Sequence, residues 1–242
     1  MNTPQNQFDQ SYTANSQSES IAKTFMTSVF SWMFLALGIT AVTAYIFASS
    51  PSLIAQLYTD TGLSILGWVV MLAPFGLVMF MSARFRSLDL SKLSMFFLIY
   101  AVLMGMSLSF ILLVYTQASV FSTFIVTSGT FGLMAIVGYT TNTDLTKFGS
   151  ILFMALIGII LASVVNFFMN SGTLEYIISI LGVLIFTGLT AYDVQKLKRI
   201  GMATGDYFGE SKSKLAIMGA LTLYLDFINL FLFLLRFLGN RK

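Results

Sequence analysis

Two acidic residues, Asp193 and Asp226, lie inside long apolar segments of the chain. Asp226 stands within LTLYLDFINLFLFLLRFLG (221–239), and Asp193 within GLTAYDVQKLKRI (188–200). An ionised acid at the centre of a bilayer costs about 2.5–3.5 kcal/mol on insertion scales, so such residues normally face a bundle interior and have partners. If the two acids meet, they cannot both ionise cheaply, and they would share one proton. Once deprotonated, the pair would offer the oxygen ligands that Ca²⁺ prefers.

The residue types that most catalytic and metal sites use are absent. The chain has no cysteine and no histidine, which excludes disulfides, thiolate chemistry and Ser-His catalysis. Two acids could serve an intramembrane aspartyl protease, and the Tyr-Asp pair at 192–193 resembles one of its motifs. The second acid of those enzymes follows a Gly-x-Gly sequence, whereas Asp226 follows Tyr-Leu. We therefore expect no enzymatic activity and no tightly bound cofactor.

The composition indicates an integral membrane protein. Of the 242 residues, 57% are hydrophobic and 10% are charged, whereas soluble domains carry about 25% charged residues. The net charge of +3 is small, and the basic residues lie in loops, so the expected partner is the lipid bilayer and not nucleic acid. A helix needs about 20 apolar residues to cross a bilayer. Seven segments meet this requirement, at about 25–48, 62–82, 93–115, 119–139, 148–169, 174–195 and 214–238.

The predicted fold is all-α, with seven transmembrane helices and the seventh span packed centrally in the bundle. Residues 1–24 are rich in Asn, Gln, Ser and Thr and are predicted to be a disordered polar tail before the membrane domain at 25–242. Lys and Arg occur before span 1 and after spans 2, 4 and 6, while the loops after spans 1, 3 and 5 have none. This alternation predicts a cytoplasmic N-terminus. Seven crossings would then leave the end of the chain outside.

Helical spacing assigns a face to each acid without proving that they touch. Steps of three or four residues from Asp226 reach Thr222 and Asn229, which predicts a polar stripe facing other helices, with Leu and Phe toward lipid. Asp226 lies roughly 18 Å of helix from Lys214, so contact with Asp193 requires span 7 to begin beyond the bilayer surface. Each acid could instead hydrogen-bond a neighbouring helix and have no further role.

These segments resemble the Bax inhibitor-1 family, also called the transmembrane Bax inhibitor motif family. The resemblance rests on LYLDFINLFLFLLRFLG (223–239), AYDVQKLKRI (191–200) and seven spans after a short polar tail. It favours a bacterial member in the inner membrane. It implies a pH-sensitive calcium leak, with Asp193 and Asp226 as sensor, gate and Ca²⁺ ligands near the cytoplasmic side.

Three further residues are candidates for support of the acid pair. The family implicates an arginine at the end of span 2, which corresponds to Arg84 or to Arg86 in SARFRS. Either guanidinium could neutralise an aspartate, or it could reach lipid headgroups instead. Asn229 extends the polar stripe of span 7.

A second function remains open. Some bacterial relatives resemble modulators of a membrane-bound AAA protease, with the N-terminal tail as the contact. The chain could therefore be a membrane interaction protein that regulates such a protease or a stress or cell-death pathway.

Overall fold

The computed structural model describes residues 4–59, 62–203 and 209–242, with side chains described from Glu19 onward. The described part is helical apart from one two-stranded hairpin. Its elements are α1 (Pro4–Ser49), α2 (Pro51–Leu57), β1 (Tyr58–Thr59), β2 (Gly62–Leu63), α3 (Ile65–Arg84), α4 (Leu90–Val114), α5 (Gln117–Thr140), α6 (Thr146–Met169), α7 (Gly172–Ala203) and α8 (Gly209–Leu238). Seven helices are long and apolar enough to cross a bilayer, which confirms the predicted all-α, seven-span fold.

The start of the chain differs from the expected disordered tail. Helix α1 begins at Pro4 and runs unbroken into the first span, while residues 1–3 lie outside the described part. Proline is tolerated in the first helical turn, and residues 5–24 contain no glycine or proline that would end a helix. Packing begins near the predicted boundary, since Ala22 and Phe25 are buried. The division of the chain at residue 24 stays a prediction.

Side-chain caps and short connections set the helix boundaries. Ser64, Asp89 and Thr116 each accept a hydrogen bond from a main-chain N–H in the first turn of α3, α4 and α5. The α4–α5 and α6–α7 connections are only a few residues long, so these neighbours run antiparallel. We call the end of the bundle that carries the α3–α4, α5–α6 and α7–α8 connections the basic end, and the other the opposite end.

Helix α8 is the central helix of the bundle, as predicted for span 7. It packs against α1, α4, α5 and α7, and 67% of its most apolar window is buried, compared with 6% for the peripheral α6. The expectation that its Leu and Phe side chains face lipid is wrong, because Leu223, Leu230 and Leu235 are fully buried. Thr222 and Asn229 are half-buried. Because α8 has protein neighbours on most sides, only a narrow part of its surface can face lipid, and most of its large side chains are buried.

Glycine lets two helices approach closely beside the acids. A Cβ added to Gly138 of α5 would lie 2.8 Å from the Cα of Ala191 in α7. Ala191 precedes Asp193 by two residues. The position of Asp193 therefore depends on this backbone contact between α5 and α7.

Candidate functional site

The antiparallel register of α7 and α8 brings Asp193 and Asp226 to the same level. Toward the basic end, the side chain of Leu197 lies against Gly219. Toward the opposite end, the rings of Phe186 and Phe233 stack with their centroids 5.7 Å apart. The two acids lie between these contacts.

The length of α8 at the basic end makes this register possible. Helix α8 begins at Gly209, roughly 25 Å of helix before Asp226. It therefore starts beyond the residues that face the end of α7. A helix of this length allows Asp226 to lie level with Asp193.

The two carboxyl groups are buried and in hydrogen-bonding contact with each other. Asp193 is 4% exposed and Asp226 is 5% exposed. Within the described residues, Oδ2 of Asp226 is buried without a hydrogen-bond donor. Two ionised carboxylates only accept hydrogen bonds, so the contact needs a proton on one of them. Lys196, one turn from Asp193, is the cation whose charge acts on that carboxyl group, and it is exposed.

The candidate supporting residues do not join the pair. Arg84 and Arg86 are exposed at the end of α3, and within the described residues neither makes an ion pair. The side-chain amide of Asn229 donates to the carbonyl oxygen of Leu225 in its own helix, at 2.8 Å. Their support of the pair stays a prediction.

The acid pair would provide a cation with carboxylate oxygen ligands from only two side chains. The described residues contain no cluster of three or more acidic, histidine or cysteine side chains that could hold a metal ion. A calcium ion between Asp193 and Asp226 would therefore need further oxygen ligands from water or the main chain. Calcium binding at this pair stays a prediction.

Hydrogen bonds join helix α7 to the α5–α6 connection just after Asp193. The side chain of Gln195 is 5% exposed and makes two hydrogen bonds to that connection. Its Nε2 donates to the carbonyl oxygen of Thr143 at 2.7 Å, and its Oε1 accepts from the N–H of Leu145 at 2.9 Å. Lys198 Nζ donates to the carbonyl oxygen of Tyr139 at 2.8 Å.

An exposed ion pair completes this attachment. Arg199 Nη1 lies 2.9 Å from Oδ1 of Asp144. Hydrogen bonds from the hydroxyl and main-chain N–H of Thr146, and then the bond from Arg199, lower the pKa of Asp144 to about 2. The sequence predicts no role for Gln195, Lys198 or Arg199, because it marks the two basic residues only as topology signals and has no pattern that marks the glutamine.

At the basic end, helix α8 contacts the α3–α4 connection. Oε1 of Glu210 accepts from the N–H of Leu90 at 3.2 Å, at the start of α4. Lys214 lies over the ring of Phe85, 5.4 Å from its centroid. The helices that carry the two acids are thus attached to separate parts of the bundle, so the acid contact bridges two anchored units.

A buried hydrogen-bond network holds α8 near Asp226. The hydroxyl of Tyr224 lies 2.7 Å from Oγ1 of Thr40, which donates to the carbonyl oxygen of Ala101 at 2.9 Å. Tyr224 therefore donates to Thr40, and one network joins α1, α4 and α8. Nothing in the local sequence of Thr40 marked it as a partner of a residue 184 positions later.

Comparisons with known proteins give one family match and several relatives of similar length. The family model described as "Inhibitor of apoptosis-promoting Bax1" matches residues 22–242. The inner membrane protein YbhL of Escherichia coli is 46% identical over 220 residues, covering 91% of this chain and 93% of that protein. An uncharacterized protein of Borreliella burgdorferi is 46% identical over 222 residues, covering 92% and 94% of the two chains. An uncharacterized protein of Rickettsia prowazekii is 44% identical over 218 residues, covering 90% of each.

Proposed function

Because the chain belongs to the Bax inhibitor-1 family, we propose that it is a pH-sensitive leak pathway for Ca²⁺ across a bacterial inner membrane, gated by Asp193 and Asp226. One observation carries this proposal. Two acids on the two most buried spans contact each other, and Oδ2 of one has no donor within the described residues. A bundle that needed only stability would be served better by apolar residues at these positions.

Loss of the shared proton is the opening step. With one proton present, the carboxyl groups hydrogen-bond and hold α7 against α8. When it leaves, two like charges about 4 Å apart repel by about 4 kcal/mol at an effective dielectric constant of 20. The helices are anchored to separate connections, so repulsion can part them without unfolding either attachment. A passing Ca²⁺ would neutralise the exposed pair, and calcium flux should therefore rise with pH.

Calcium flux in proteoliposomes tests this proposal. A calcium dye inside the vesicles reports entry between about pH 5.5 and 8. The amide of Asp226→Asn can donate to Asp193 whether that carboxyl group is protonated or ionised, and no second acid is left to repel it, so flux should stay low and lose its pH dependence. Asp89→Asn is the matched control, because Asp89 is an exposed N-cap and asparagine caps a helix equally well. The proposal fails if Asp226→Asn leaks as the unmodified chain does at every pH.

The proposed orientation has the N-terminus and the basic end in the cytoplasm. The alternation of basic and uncharged connections supports it. Since the chain has no cysteine, single cysteines can report the side directly. Ser87→Cys should react with an impermeant thiol reagent only from the cytoplasmic side, and Thr173→Cys only from the other side. Both residues are exposed, at the α3–α4 and α6–α7 ends respectively.

The helical start of α1 supports the second candidate function. Helix α1 begins at Pro4, 21 residues before residue 25, where the first predicted span starts, which gives an arm of roughly 30 Å. Such an arm could contact a membrane-bound protease or another membrane protein. Removal of residues 2–18 should then abolish regulation of that partner while calcium flux is kept. Regulation that survives the deletion would exclude the arm as the contact.

A further inference from the structure

Four residues that follow α8 fold back onto the connection between α4 and α5. We call residues 239–242 the strap. Tyr115 and Arg241 form an antiparallel bridge. The N–H of Thr116 donates to the carbonyl oxygen of Asn240 at 3.1 Å, and the N–H of Lys242 donates to the carbonyl oxygen of Val114 at 2.9 Å. The strap is thus paired by its main chain at the opposite end of the bundle.

Side chains extend this attachment to α5 and α7. The N–H of Asn240 donates to Oγ of Ser119, which is 8% exposed, at 2.9 Å. Arg241 Nη2 lies 3.2 Å from Oε1 of Glu175 in the first turn of α7. Arg236 at the end of α8 lies 3.8 Å from the same oxygen. The strap therefore joins the ends of four spans.

A line of buried hydroxyl groups runs inward from the strap along α5. Ser119, Thr123 and Thr127 follow one another at intervals of four residues, and all three are buried. The line leads to Phe227, whose ring packs between those of Phe124 and Phe131 at centroid distances of 5.7 and 5.5 Å. Phe227 is the residue after Asp226. The strap and the acid pair thus lie at the two ends of one stretch of the bundle interior.

We propose that the strap is a removable closure of the opposite end, in series with the acid pair. When it lifts, Ser119 meets water and Glu175 loses its bond to Arg241. The mouth then loses the positive charges of Arg241 and Lys242. Glu175 keeps only Arg236, 3.8 Å away, as a cationic neighbour, so the local charge becomes more favourable to a hydrated divalent cation. The ion pairs are partly exposed, so salt should ease the release. The part of this inference that concerns ion flow rests on the proposed function, whereas the covering of Ser119 does not.

Thiol labelling tests the covering without any measurement of ion flow. The full chain carrying Ser119→Cys as its one cysteine is placed in proteoliposomes with an impermeant thiol reagent on the strap side. Labelling should be slow, and at least tenfold faster once residues 240–242 are removed. Thr173→Cys, exposed at the same end, should label equally fast in both backgrounds. Equal rates for Ser119→Cys with and without the strap would overturn the proposal.

A disulfide tests the strap as a closure in a chain that keeps it. In the bridge, Tyr115 and Arg241 are a non-hydrogen-bonded antiparallel pair, for which the Cα atoms lie about 4.5 Å apart. This distance suits a disulfide. Oxidation of the double variant Tyr115→Cys/Arg241→Cys should lower calcium flux at least fivefold at a pH where the acid pair is open, and a reductant should restore it.

The controls separate the two proposals. Each single cysteine variant should show no response to the oxidant. An oxidised double variant that leaks as fast as its reduced form would overturn the strap as a closure. If the strap changes Ser119→Cys labelling as expected but no variant conducts calcium at any pH, the covering stands and the proposed leak fails.

Discussion

Replacement of Gly138 by alanine should destabilise the bundle at the contact that positions Asp193. The added Cβ would overlap the carbonyl oxygen of Ala191 and lie 2.8 Å from its Cα. Carbon atoms pack best at about 3.5–4.0 Å, so α5 and α7 would have to move apart by about 1 Å. The obstacle is backbone, which cannot turn away as a flexible side chain can.

The expected loss follows from two opposing effects. Overpacking of a tight contact typically costs about 1–3 kcal/mol. Alanine recovers up to about 1 kcal/mol of helix propensity relative to glycine. The net loss for Gly138→Ala should be about 1–2 kcal/mol, which lowers the Tm of a chain of this size by about 2–8 °C.

Thermal unfolding in detergent, followed by circular dichroism, measures this loss against a matched control. Gly132 lies in the same helix, and an added Cβ there meets nothing within 4 Å. Gly132→Ala should leave the Tm unchanged or raise it slightly. Equal Tm values for the two variants would refute the inferred close approach of α5 and α7, and with it this account of how Asp193 is held.

Three other predictions concern single contacts. Tyr224→Phe should cost about 0.6–1.7 kcal/mol. A double-mutant cycle with Thr40→Val should show coupling, because both variants lose the Tyr224–Thr40 hydrogen bond, although Thr40→Val also loses the bond to Ala101; strictly additive losses would contradict this. Gln195→Ala should cost about 1–3 kcal/mol in thermal unfolding, since two main-chain groups lose their partner, and an unchanged Tm would contradict this. Hydrogen bonds, first of all from the Thr146 hydroxyl, lower the pKa of the Asp144 carboxyl group from its ordinary value of 3.8 to about 2. Its stabilising effect is therefore fully present above that ordinary pKa and is lost as the pH falls through about 2. The Tm difference between the unmodified chain and Asp144→Asn should therefore be constant at neutral pH and shrink toward pH 2; a difference that changed near pH 7 would contradict this origin.

The sequence could not predict whether Asp193 and Asp226 lie at the same level along their helices. Helical periodicity assigns Asp226 to a face, but it carries no information on how far one helix is shifted along another. The start of α8 at Gly209 and the contact of Leu197 with Gly219 decide that shift. The same limit explains the wrong assignment of Leu and Phe to lipid, because a central helix has protein neighbours on nearly every side.

The sequence alone determined the class of this protein, its seven spans and the two acids that need an explanation. These properties follow from the free energy of moving each segment into lipid, which is largely a sum over its own residues. Only the tertiary structure decided what the polar groups do. It brings Arg241 to Glu175, 66 residues away, and Tyr224 to Thr40, 184 residues away. Hydrogen bonds and ion pairs act over a few ångströms, so their partners are set by helix register and packing, to which distant parts of the chain contribute together.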